Sequence, residues 1–112
     1  MIKQAILDKV TKDDHVTFAE ITRMDGCGGD YELFRPDVNV VLWQHLSLEA
    51  IEAIEELREE GRIHYDVCHW LVYVVDGGFL NLTIVKRRPP PGGFKKTCWL
   101  PTTLRPGPSP SL

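Results

Sequence analysis

The chain reads as an α+β domain of three helices and a C-terminal β-hairpin, with an extra strand inserted before the third helix. Three observations predict this. Apolar residues recur at helical spacing near the start and again over 50–57; after Gly61 the period changes to two; and Asp76-Gly77 divides two β-rich runs. With 112 residues, 43% of them hydrophobic and 26% charged, the chain has the size and balance of one folded unit. Residues 1–101 are read as that domain and 102–112 as a disordered Pro/Ser-rich tail.

Ile2, Ala5, Ile6, Lys9 and Val10 follow helical spacing and predict a first helix over about Ile2 to Lys12, ending at Asp13-Asp14. Thr17 and Glu20 match a capping box, in which the Thr17 hydroxyl accepts from the Glu20 amide and the Glu20 carboxylate returns to the Thr17 amide, so a short second helix begins near Phe18. Gly26, Gly28 and Gly29 in "MDGCGGDYE" predict a loop. Val38, Val40, Val41, Leu42 and Trp43 form a β-branched and aromatic run, read as a buried strand over 38–43, with Pro36 ahead of it where no ladder donor is needed. Ser47 is a natural N-cap for a third helix running to Gly61, a glycine placed to close it. Ala50, Ile51, Ala53, Ile54 and Leu57 share one face of that helix, while Glu49, Glu52, Glu55, Glu56, Glu59 and Glu60 stand against one Arg58.

From Arg62 onward, Ile63, Tyr65, Val67, His69, Leu71, Tyr73 and Val75 alternate with the remaining side chains, which predicts a hairpin of about 63–75 with 79–87. "RRPPPGGFKK" ends the second arm, because proline removes the ladder donor. "TTLRPGPSPSL" carries too little apolar surface to offset its ordering entropy.

The order helix, short strand, short helix, intervening segment, helix, hairpin resembles the winged helix-turn-helix domain. "VTFAEI" (16–21) is similar to its short strand entering the second helix, and "AIEELREEGRIHY" (53–65) to its third helix leading into the wing. The resemblance covers about residues 2–88 and implies a regulatory, DNA-binding module of prokaryotic type that dimerises. The chain departs from it between Arg23 and Leu46, where more than twenty residues replace a short turn. An α+β domain in which the 38–43 strand pairs with the hairpin is the alternative.

Charge is unevenly distributed. Residues 1–85 hold all 16 acids and seven of the 13 Lys/Arg, about −9; residues 86–112 hold Lys86, Arg87, Arg88, Lys95, Lys96 and Arg105 and no acid, about +6. Carboxylates on the third helix would repel phosphate, so that helix is not expected to enter a groove of DNA. Lys86, Arg87, Arg88, Lys95 and Lys96, with Phe94 as a ring for stacking, are the candidate nucleic-acid contacts. The competing reading is a solvated basic segment folding back onto its own acids.

For a protein partner, the candidates are Glu52, Glu56 and Glu59 on the acidic helix and Trp43, Trp70 and Tyr73 on apolar faces, with a homodimer burying Trp70 or Trp43. His64 and Cys68 lie about 13 Å apart on a strand while His69 faces the other way, so no metal is expected, and no cofactor. Cys27 among glycines is the candidate for a nucleophile, without a base that spacing would select, and an enzyme is not expected. Cys27, Cys68 and Cys98 are odd in number and far apart, which fits reduced thiols. No apolar run approaches the roughly 20 residues that span a bilayer, and the start lacks a signal-peptide pattern, so a cytoplasmic protein without a membrane partner is expected. The leading expectation is a non-enzymatic winged-helix-like regulatory module binding DNA weakly through its basic hairpin end; the alternative is a protein–protein adaptor using the acidic helix and the apolar hairpin.

Overall fold

Ile6 and Val10, the residues that most clearly set the first helical stripe, are buried on α1 (Ile2–Asp13). The structure, a computed structural model, describes residues 2–110 as an α+β fold of four helices and two sheets. After β1 (Val16–Thr17), helix α2 (Phe18–Thr22) begins where expected, with the Thr17 hydroxyl accepting from the Glu20 amide at 3.2 Å. Only that half of the capping box forms: the Glu20 carboxylate lies 3.4 Å from Lys9 Nζ.

Two strands follow, β2 (Gly28–Arg35) and β3 (Val40–Leu46), paired antiparallel. The glycines read as a loop thus open a strand. A Cβ at Gly29 would stand 2.8 Å from the Leu46 carbonyl oxygen, so this glycine permits close approach of β3. The expected 38–43 strand is present but runs later, to Leu46. Helix α3 (Leu48–Glu59) is capped by Ser47, whose hydroxyl accepts from the Ala50 amide at 3.1 Å. It ends in a Schellman motif: Gly61, at φ 71°, donates to the Arg58 carbonyl and Arg62 to that of Leu57.

Beyond α3 the expected 63–75/79–87 hairpin does not form. Strand β4 (Ile63–Val67) is followed by helix α4 (Leu71–Val75), and β5 (Thr83–Ile84) pairs in parallel with β6 (Cys98–Trp99) instead of with β4. The Asp76-Gly77 signal is real but belongs to a helix end. Gly77, at φ 79°, donates to the Val74 carbonyl and Gly78 to that of Tyr73, a second Schellman motif.

The partner of β4 is β7 (Thr102–Pro106), which lies in the segment read as a disordered tail. It is the middle strand of a three-stranded antiparallel sheet ordered β1-β7-β4. Its apolar content is low, yet Leu104 is fully buried and Thr102 and Thr103 nearly so. Backbone pairing on both edges supplies what the composition lacks. Ser111 and Leu112, the end of the same expected tail, lie outside the described residues.

The second sheet, ordered β2-β3-β6-β5, is assembled from two separated insertions, residues 28–46 and 68–101. Trp43 of β3, Tyr73 of α4 and Trp99 of β6 meet where they converge, with ring centroids 5.0 Å (Trp43 to Tyr73) and 5.2 Å (Tyr73 to Trp99) apart. The Tyr73 hydroxyl accepts from the Phe18 amide at 3.0 Å and donates to the Thr102 carbonyl at 2.5 Å, so it joins α2, α4 and β7. Burial drives the Tyr73 pKa well above the ordinary phenol range, which keeps the group neutral and able to do both.

Removing that hydroxyl leaves a buried amide and a buried carbonyl short of partners. Tyr73→Phe is expected to lower stability by about 1–3 kcal/mol, read as a fall in the urea midpoint at unchanged slope. A chain ending at Pro101 is expected to lose its cooperative thermal transition in circular dichroism, while one ending at Pro108 keeps it, since only the first lacks the middle strand.

Candidate nucleic-acid interface

Past β5 the chain leaves the sheet through Lys86, Arg87 and Arg88, turns at three prolines and two glycines, and returns through Phe94, Lys95 and Lys96 to β6. Two features fix this excursion. Asn39 holds the return: its amide donates to the Phe94 carbonyl at 3.0 Å, its side-chain oxygen accepts from the Thr97 hydroxyl at 2.9 Å, and its backbone carbonyl accepts from Cys98 at 3.1 Å. Asn39 has φ 58°, a left-handed conformation that asparagine tolerates better than most residues. Gly93, at φ 88°, sits so close to the Val38 backbone that a Cβ would approach its carbonyl carbon to 2.8 Å.

Between β5 and the returning arm lies a groove of about 650 Å³, a volume within the range of ligand clefts. Thr83, Ile84, Val85, Pro90 and Phe94 contribute to its walls, and Lys86, Arg87, Lys95 and Lys96 bring four cations to it. Arg88 is exposed on the same loop. Phe94 is partly buried and packs against the core, so it lines the groove without standing free as a stacking platform.

The five cations are exposed, and among the described residues none forms an ion pair. The sixth cation of the basic end behaves differently. Arg105 on β7 bonds Asp14 at 3.0 and 3.2 Å and holds its carboxyl below the usual carboxylate range. The acidic helix is likewise matched from within its own body. Lys3 reaches Glu56 at 3.2 Å and Glu60 at 2.7 Å, and Glu55 meets Arg58 at 3.0 Å and Arg35 at 3.4 Å. The competing reading, a fold-back of the basic loop onto the acidic helix, has no ion pair behind it among the described residues. Glu52 and Glu59 are exposed and take part in no ion pair among those residues, whereas Glu56 is engaged by Lys3.

The apolar partner-binding candidates separate. Trp43 is 4% exposed and its indole N–H donates to the Thr22 hydroxyl at 2.8 Å; Tyr73 is fully buried. Both are core residues, so neither faces a partner. Trp70 remains at the surface, 37% exposed.

Cys27 is buried, and burial with Asp25 and Glu49 nearby pushes its thiol up, the opposite of an activated nucleophile. Among the described residues no three His, Cys, Asp or Glu side chains gather closely enough for a metal ion. His64 Nδ1 instead lies 3.0 Å from the Gly107 carbonyl. Among those residues no helix is long and apolar enough to cross a membrane. Comparison with protein families, curated proteins and solved structures finds no match to this chain.

Burial, with Asp66 and Asp76 adding to it, pushes the Cys68 thiol up to about 11. Its alkylation by iodoacetamide at pH 8 is therefore expected to run about 100-fold slower than that of an unperturbed cysteine and to accelerate as pH rises toward 11. Peptide mass spectrometry of timed samples, which resolves the three cysteines, checks this.

Proposed function

We propose that the chain is a non-enzymatic, winged-helix-like regulatory module that binds nucleic acid through the groove between β5 and the 86–96 loop. The observation that carries this reading is the set of five cations, exposed and without an ionic partner among the described residues, four of which line an apolar-walled groove. Phosphates would be held by Lys86, Arg87, Lys95 and Lys96, and counterion release would supply most of the affinity. The apolar walls at Ile84, Val85 and Phe94 fit the face of an unstacked base better than the rim of a duplex, which favours single strands or frayed ends.

The winged-helix reading is supported by element order. Helix, strand, helix, helix and two antiparallel strands occur as α1, β1, α2, α3, β4 and β7, with the wing position taken by the long excursion 68–101. In this arrangement the basic loop belongs to the excursion and α3 presents carboxylates. Contact with nucleic acid through α3 is disfavoured by repulsion, while contact through the loop is not.

Fluorescence anisotropy of labelled single strands and duplexes, titrated at two salt concentrations, tests the reading. Binding should weaken as salt rises, with a slope fitting about three to five phosphate contacts, and should be lost in the Lys86/Arg87/Arg88→Ala variant. Gly93→Ala, which forces the loop off Val38, is expected to weaken binding while leaving most of the thermal stability. Absence of salt-dependent binding to either form would remove the reading.

A further inference from the structure

Helix α4 buries one residue. Tyr73 points into the core, while Leu71 is 50% exposed, Val72 38%, Val74 47% and Val75 85%. Val67 and Phe79, on either side of the helix, are exposed to 62% and 53%, and the Trp70 and Phe79 rings meet edge to face at 6.3 Å. These seven residues together expose on the order of 600 Å², at the upper end of the largest apolar patches of monomers and approaching the roughly 800 Å² that each partner gives to a standard interface.

We infer that this face is the contact surface for a second copy of the same chain. A two-fold contact sets each patch against its own image, so a charge near the axis would meet its like. The helix at the centre of the patch meets that condition, and the nearest cation, Lys86, lies at its border. Between Cys68 and Gly78 the ionisable side chains are His69, Tyr73 and Asp76; Tyr73 is buried, and the Asp76 carboxylate accepts from Thr17 of its own chain at 2.6 Å. Contacts with unlike partners are about as polar as the rest of a protein's surface, whereas homodimer interfaces are more apolar, as this face is.

The test is the solution mass of the full chain, followed by light scattering across a concentration series in nuclease-treated, high-salt buffer that prevents bridging by nucleic acid. The wild type is expected to reach twice the 12.8 kDa of one chain. Leu71→Glu and Val75→Glu, made separately at exposed positions and each checked for a native circular dichroism spectrum, are expected to remain single chains over the same range. A wild type that stays at 12.8 kDa throughout would overturn the inference and leave the patch to a different protein. So would a dimer that persists in both variants, or growth past two copies.

Discussion

One phenol oxygen, that of Tyr73, accepts from the Phe18 amide and donates to the Thr102 carbonyl, and much of the remaining architecture follows from where that places the residue. The two sheets are built from interleaved pieces of chain and share one core. Tyr73 ties them from α4, with its ring against Trp43 and Trp99 and its hydroxyl against β7. Gly78, just past the helix, must lack a side chain for this to work, since a Cβ there would lie 2.7 Å from Ala19 Cβ and 3.1 Å from Trp43. The same placement has a cost at the surface. A five-residue helix that turns one large ring inward has little room to bury its other apolar residues, so Leu71, Val72, Val74 and Val75 are left facing out.

Local signals were legible in the sequence, and pairings were not. Thr17 and Ser47 cap helices because a hydroxyl before an apolar stripe has one nearby use, and α1, α2 and α3 begin within a residue or two of expectation. The run His69–Val75 was ambiguous for a physical reason. Its β-branched and aromatic residues suit an extended chain, but its length suits a helical turn as well, and the choice is made by contacts with Phe18 and Thr102, far away in sequence. Gly77 shows the same ambiguity from the other side, because a positive φ serves a hairpin turn and a helix end equally. Strand β7 was hidden most deeply. Thr102–Pro106 has the composition of a tail, and only the open edges of β1 and β4 make it a strand.

The candidate groove was half legible. Its cations stand out in composition, since they are concentrated in a region without acids, but Asn39 and Gly93, which hold the loop, gave no signal of their role. An asparagine in a turn is unremarkable until its side chain is seen bonding both Phe94 and Thr97. Charge matching elsewhere then gives the five cations their meaning. Lys3, Arg35, Arg58 and Arg105 are each set against carboxylates of the body, so those carboxylates have cationic partners outside the basic loop. Such exposed pairs contribute little stability singly. Their bearing here is on partners: Glu55, Glu56 and Glu60 of α3 are already engaged by Arg35, Arg58 and Lys3.

The two proposed surfaces are neighbours. A smaller cavity is lined on one side by Val67, Cys68, His69 and Trp70 and on the other by Ile84, Val85 and Lys86, so the apolar face borders the basic groove. A second copy docked on Val67 and Trp70 would approach the Lys86 end of the loop and bring like charges together. A polyanion lying in the groove would neutralise them. Self-association and nucleic-acid binding would then favour each other, and by linkage the coupling would be the same in both directions. Salt would act with opposite sign on the two, screening the repulsion between copies while weakening attraction to phosphate. Dimerisation without nucleic acid would therefore strengthen as salt rises, and binding to nucleic acid would weaken.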